Sequence, residues 1–368
     1  MPIEVHVLFA LFFVFSLFSL LIIKFNNLGF GDLTFHLDHS LLFGSAIFSI
    51  LSIVSIYGFF KILFVVFNLI KNKDNAKSIF INIGKKLLIY IRSLAFWTLL
   101  IVFLIVIYSY ALEFVYRNAD PGAVASTSEY LMHLDYLIFG VYPPFFLQKF
   151  AAIGSIGFLS VLAYRQILFI ISVVVLTALF TNSQLLRKFI ISFIIAGFIG
   201  LPFWTLIPAI SPAEMYVVNT LGRPVPENIN YEIKNTKIEK NIDEYLPHVL
   251  ETWIDPTLKS FAVSTFPSMH VAWGVIAVVI GIELFTPYAI FLLPWLFFNI
   301  LGTVTTFQHY AVDSLFGILV AVLALFIAKK CLEFESQYFK DDYKLMSVWH
   351  MLERDARKTL LFTSKIVK

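Results

Sequence analysis

Apolar residues in this chain come in long unbroken runs, without the periods of two or 3.6 residues that mark half-buried strands and surface helices. A run of about 18 or more apolar residues reads as a transmembrane helix, because the hydrocarbon core of a bilayer is about 30 Å thick and a helix rises about 1.5 Å per residue. Such runs predict helices near residues 5–23, 41–69, 87–112, 164–181, 189–209, 268–284, 288–307 and 311–329. The stretch 150–180 is too long for one ordinary span and has Arg165 in its middle, so 151–163 is expected to be a short interfacial or re-entrant piece. The first run begins with Glu4 where a signal peptide carries basic residues, and no small-residue cleavage pattern follows, so it is expected to stay as an anchor. The predicted fold class is all-α, a polytopic membrane bundle of about eight transmembrane helices.

Composition supports this reading and removes its competitors. Of 368 residues, 59% are hydrophobic and only 14% charged, whereas soluble chains are roughly half apolar and a quarter charged. The 41 phenylalanines are spread along the whole chain, which excludes disorder, collagen and a single-anchor protein. A net charge of +3 offers no polybasic face for nucleic acid. The lone Cys331 excludes an internal disulfide.

The short loops orient the bundle through their Lys and Arg. Lys71, Lys73, Lys77, Lys85 and Lys86 follow the second span, Arg187 and Lys188 the fourth, and Lys329 and Lys330 close the last. In an eight-span arrangement all three loops fall on one side, predicted to be cytoplasmic together with both termini. The opposite, extracytoplasmic or lumenal side then receives residues 113–149, the long loop 210–265 and the junction before the last span. No internal repeat is present.

Those external segments hold the chemistry. Pro267, Ser268, Met269 and His270 stand where a polar loop turns into an apolar helix. Proline suits a first helical turn, and the free amides and positive dipole end of a helix N-terminus suit a phosphate, to which Ser268 could add a hydroxyl. A plain helix cap is the alternative. Further on, His309 and Asp313 share one helix face at a spacing of four, so the carboxylate can orient the imidazole and leave its other nitrogen free. A hydrogen-bonded pair that merely joins two helices is the alternative here, yet an Asp near the apolar end of a span is costly and marks function by default. Two histidines and an aspartate at the same depth beside a helix N-terminus suit phosphoryl transfer without a metal or cofactor: His309 as nucleophile, Asp313 as its partner, His270 as the acid for the leaving oxygen. The same three residues could also form a facial metal site, or serve a transporter or scaffold as a proton relay or structural glue.

Thr265-Phe266-Pro267-Ser268-Met269-His270 and His309-Tyr310-Ala311-Val312-Asp313, about 40 residues apart on successive spans, resemble the second and third signature motifs of the type 2 phosphatidic acid phosphatase superfamily. Their form is most similar to the inositol phosphorylceramide synthase branch, as are Asp135 to Gly140 with Pro143-Pro144, and Pro208 to Pro212. The resemblance covers roughly Asp135 to Lys329. It implies the same three roles for His309, Asp313 and His270, an active site at the outer or lumenal leaflet, and a membrane phospholipid or sphingolipid as substrate. The expected function is a lipid phosphotransferase working through a phosphohistidine, with a lipid phosphate phosphatase using water as the alternative. The expected organisation is N-terminal spans and an external loop over 1–134, a catalytic core over 135–330 and a cytoplasmic tail over 331–368.

Two departures from the family pattern matter. Thr303 stands where the phosphatases carry an Arg six residues before the histidine, and Tyr216 where they carry a Lys seven residues before Arg223-Pro224. Another group must then neutralise the phosphate, which is the main electrostatic task of such a site. Arg165, Arg223 and Lys259 are the candidate cations.

Overall fold

A computed structural model describes Leu112, Val115, Tyr116 and residues 119–151, 154–236 and 263–338. The first three predicted spans, apart from Leu112, fall outside the described residues, as do Lys259 and the tail after residue 338. Described residues are helical, with a single parallel bridge between Ala209 and Ser264 and no strand among them. The order is α1 (Pro121–Phe139), α2 (Pro143–Ala151), α3 (Gly154–Arg165), α4 (Ile167–Thr181), α5 (Ser183–Leu206), a π-helical turn Ala213–Val217, α6 (Glu227–Thr236), α7 (Met269–Leu284), a 3-10 turn Thr286–Tyr288, α8 (Ala289–Thr305) and α9 (Ala311–Tyr338). Among the described residues, three segments are long and apolar enough to cross a bilayer, Gln184–Leu206, Thr286–Thr305 and Ala311–Gln337, and α3 with α4 makes a fourth if the bent pair is one span. Among the described residues, those within 111–171 and 187–333 form one compact unit, and those within 172–186 and 334–338 belong to another. All of the chemistry described below lies in the first of these.

Helix boundaries follow local chemistry more closely than the apolar runs do. The span expected from residue 189 begins at Ser183, because the Asn182 side chain accepts from the amides of Gln184 and Leu185 at 3.1 Å and caps the helix. Arg187 and Lys188, expected in a loop, therefore sit inside α5. Arg187 is buried, and Lys188 pairs with Glu283 near the end of α7 at 2.7 Å.

The expected short piece 151–163 and the span from 164 are also redrawn. Helix α3 runs on to Arg165, breaks at Gln166 and resumes at Ile167 with a 54° bend. Neither proline nor glycine stands at the break. Instead, side chains from other helices take the end carbonyls of α3: Asn299 Nδ2 donates to Ala163 O at 3.2 Å and His270 Nε2 donates to Tyr164 O at 2.9 Å. Insertion of side chains into the hydrogen-bond ladder is a recognised cause of a sharp kink, and it satisfies groups that could not stay bare in an apolar setting.

Residues 113–149, expected as an external loop, contain two helices. Asp120 Oδ2 accepts from Ala123 N at 2.7 Å, Pro121 opens α1, and Gly140 closes it with φ +69°, a left-handed value that glycine adopts without strain. Helix α8 packs against α3 and α7, and glycines set two of the closest approaches. A Cβ on Gly302 would collide with the Ser160 carbonyl of α3, and one on Gly317 of α9 with the Ser268 carbonyl at the start of α7.

Candidate active site

Helix α7 starts at its expected place. Ser268 is the N-cap, and its Oγ accepts from Val271 N at 3.4 Å. Its own amide donates to the Asp313 carbonyl at 3.0 Å, so the backbone joins the first turn of α7 to that of α9. With Gly317 beside Ser268, the N-termini of α7 and α9 lie at one end of the unit, while Lys188 and Glu283 mark the opposite end of α7.

The two histidines are held by carbonyl oxygens. His270 is buried, stacks on the Tyr164 ring with centroids 4.2 Å apart, and donates Nε2–H to Tyr164 O. This leaves its Nδ1 as the nitrogen available to a ligand. His309 presents the reverse tautomer: Nδ1 donates to Thr265 O at 2.9 Å, and the nearest Asp313 oxygen is 3.5 Å away, which leaves Nε2 available. The expected pair of His309 and Asp313 is thus present as a close electrostatic contact, with the direct hydrogen bond supplied by Thr265. Burial lowers the His309 pKa from 6.5 to about 4, so the imidazole is neutral at physiological pH.

Asp313 is fully buried, and its Oδ2 accepts from Tyr310 N at 2.9 Å. Among the described residues its Oδ1 has no hydrogen-bond partner. The next two amides, of Ala311 and Val312, donate to the two oxygens of Asp135 at 2.9 and 2.8 Å. Carboxylates therefore occupy the N-terminal amides of α9. In the first turn of α7, Ser268 N and Val271 N are occupied, while the amides of Met269 and His270 have no partner among the described residues and are placed to meet an anion.

The loop before His309 is tightly fixed. Phe307 is buried in a left-handed conformation, φ +56°, strained for a residue with a Cβ. Its ring packs edge-on to Phe145 of α2, its carbonyl accepts from Ala213 N at 3.1 Å, and Gln148 donates to the neighbouring Thr305 carbonyl. His309 N donates to Thr303 O at 3.1 Å. Thr303, at the position of the family's Arg, is fully buried and shares a hydrogen bond of 3.1 Å with Ser314. Tyr216, at the position of the family's Lys, is buried in the π-helical turn.

Of the candidate cations, Arg165 is exposed at the break after α3, directly following the residue whose carbonyl and ring hold His270. Arg223 is exposed beyond the π-helical turn, its amide bonded to Asn219 Oδ1 at 3.0 Å and its guanidinium beside Gly122 in the first turn of α1. Among the described residues no group of three His, Cys, Asp or Glu side chains is arranged to hold a metal ion.

Sequence reasoning missed the tertiary partners. Asp135 entered only through a family-like stretch, although an aspartate within the apolar run from Leu131 to Phe139 is the kind of costly placement that signals a role. Asn299 carried the same signal within α8. The carbonyls of Tyr164 and Thr265 carried none.

Neither a curated protein nor a solved structure matches the chain significantly. A family model does: that of the PAP2 superfamily aligns with residues 129–327. The match spans just over half of the chain and includes Asp135, His270, His309 and Asp313, and the chain accordingly belongs to the PAP2 superfamily, as a membrane enzyme of phosphatase or phosphotransferase type.

Proposed function

We propose that the protein is a lipid phosphotransferase that works through a phosphohistidine on His309, at the extracytoplasmic or lumenal face of its membrane. The observation that carries this reading is the fixed tautomer of His309. With Nδ1–H donated to Thr265 O, and neutral at physiological pH, the imidazole keeps its Nε2 lone pair for attack. His309 Nε2 attacks phosphorus and the bond from phosphorus to the leaving oxygen breaks, while His270, entering the step as an imidazolium protonated on both nitrogens, gives its Nδ1 proton to that oxygen and keeps Nε2–H on Tyr164 O. Asp313 lies close enough to favour the positive charge that develops on His309. An acceptor hydroxyl then attacks phosphorus, its proton passes to His270, and the phosphorus–nitrogen bond breaks.

The amides of Met269 and His270 face the phosphate from the dipole end of α7, a role that Ser268 supports as the cap. Arg165, which directly follows the Tyr164 that holds His270, is the leading candidate for the missing family cation, with Arg223 and Lys259 as further candidates. A catalytic core over 135–330 fits the resemblance to inositol phosphorylceramide synthase, and so does an alcohol of a second lipid as acceptor. Water as acceptor would make the same phosphoenzyme a phosphatase. The cations Lys188, Lys329 and Lys330 support the orientation, because they lie toward the helix ends remote from the histidines.

The test is turnover of 32P-labelled phosphatidic acid, phosphatidylglycerol and phosphatidylinositol by purified protein in detergent, with EDTA present and with ceramide or diacylglycerol added. Wild-type protein is expected to form an acid-labile, base-stable phosphoenzyme and to pass label to the added alcohol. His309→Ala is expected to lose at least about 1,000-fold in kcat. Label appearing only as free phosphate would replace transferase by phosphatase, and turnover unchanged in His309→Ala would refute the histidine mechanism.

A further inference from the structure

Two carboxylates, not one, close the N-terminus of α9, and only Asp313 has a place in the proposed chemistry. Asp135 comes from α1, 176 residues earlier in the chain than Ala311, and is fully buried. Its two oxygens each take one amide of the first turn of α9, at 2.8 and 2.9 Å. Those amides immediately follow Tyr310, whose own amide is held by Asp313, so that one carboxylate pair fixes three consecutive peptide units directly after His309. Helix α1 grips the neighbouring segment as well, through Ser128, which is also fully buried and accepts from Ile210 N at 3.2 Å.

An ordinary helix cap is local and partly wet, as Asp120 is for α1. Asp135 instead places a second charge in a buried site beside the first. Asp313 repels that charge, and burial together with this repulsion raises the Asp135 pKa to about 7 even though both amides favour ionisation. A protein that needed only to start a helix could use a local Ser or Asn at far lower electrostatic cost. What the distant carboxylate adds is a fixed direction: it ties the residue after the His309 turn to the scaffold of α1, and a nucleophile displaced by about 1 Å loses about 100-fold in rate.

We infer that Asp135 is a positioning residue for phosphoryl transfer, holding the first turn of α9 through Ala311 and Val312 so that the Nε2 of His309 faces phosphorus. The inference rests on the phosphohistidine reading above, and its test separates the two. With whichever labelled phospholipid of the panel wild-type protein turns over, the rate of phosphoenzyme formation, kcat and KM are measured for Asp135→Asn, Ala311→Pro, the double variant and Asp120→Asn, together with melting temperatures. Asp135→Asn keeps the shape but turns an NH2 toward a donor. Ala311→Pro deletes one of the two amides at a first helical position, where proline is tolerated. Asp120→Asn makes the same exchange at a local cap that does not touch α9.

Asp135→Asn is expected to slow phosphoenzyme formation and kcat by about 10- to 100-fold, with KM within about threefold of wild type and a melting temperature lower than that of Asp120→Asn, because its new NH2 meets a buried donor. Ala311→Pro is expected to lower kcat in the same direction. The double variant should be no slower than Asp135→Asn alone, because both changes break one interaction. Full wild-type kcat in a folded Asp135→Asn, equal losses in Asp120→Asn, or multiplying effects in the double variant would each overturn the positioning role. Should Asp135→Asn not fold, a folded Ala311→Pro with unchanged kcat would overturn it alone. Wild-type protein that forms no phosphoenzyme would overturn the catalytic reading itself.

Discussion

At the scale of single residues, the site is governed by which nitrogen of each histidine is engaged. His309 and His270 are held through opposite nitrogens by the carbonyls of Thr265 and Tyr164, an arrangement that fixes one free nitrogen on each without any acidic side chain. Burial also gives the site a pH signature. For His309 the pKa falls from 6.5 to about 4, so between these values the unfolded chain holds a proton that the folded chain lacks. Its contribution to stability is present above about pH 6.5 and is lost as pH falls toward 4, by no more than about 1.4 kcal/mol per pH unit. Asp135 has the opposite sign. Its pKa rises from 3.8 to about 7, so the folded chain holds the extra proton and stability declines as pH rises through that window. Melting temperatures from pH 4.5 to 7 check this: relative to wild type, the slope against pH should become less positive in His309→Gln and more positive in Asp135→Asn. Parallel slopes in all three proteins would show that neither group titrates as described.

At the scale of elements, the kink between α3 and α4 and the approach of α9 to α7 build the site. The kink exists because Asn299 and His270 donate to the last carbonyls of α3, and the same bond that ends the helix sets the tautomer of His270. Asn299→Leu leaves the Ala163 carbonyl without this donor and is expected to cost about 1 to 3 kcal/mol. It should also lower kcat, since Tyr164 is the adjoining residue. Gly317→Ala drives a methyl into the Ser268 carbonyl and separates the two helix N-termini. Overpacking of this kind costs about 1 to 3 kcal/mol. Thermal melts beside kcat are the measurement, and a Gly317→Ala protein with wild-type values in both would mean that the helices meet more loosely than described. The apolar runs made the existence of α5, α7, α8 and α9 legible. A break in this stretch was legible, two residues before its actual place, whereas its cause was not, because that lies on other helices.

At the scale of the whole molecule, sidedness is the property to test. Lys330 and Cys331 lie toward the end of α9 remote from His309, and Cys331 is partly exposed. In the orientation proposed above from the positive-inside rule, they face the cytoplasm. A membrane-impermeant maleimide should therefore label Cys331 in inside-out vesicles and leave it unlabelled in sealed right-side-out ones. In a Cys331→Ser background, Asn228→Cys on α6 should show the opposite pattern. Labelling of Cys331 from outside would invert the orientation proposed for the active site.

The sequence alone determined that the chain is an all-helical membrane protein, because bilayer thickness forces long apolar runs, and its two histidine motifs carried the resemblance to the PAP2 superfamily. It also brought forward His270, His309 and Asp313, since ionisable side chains beside apolar spans are costly and few. Tertiary structure alone decided which nitrogen each histidine keeps free, that Thr303 and Tyr216 are buried, and that Asp135 closes α9. The physical reason is that these outcomes depend on backbone carbonyls and amides, which every residue carries alike, and only folding decides which side chain meets which peptide group.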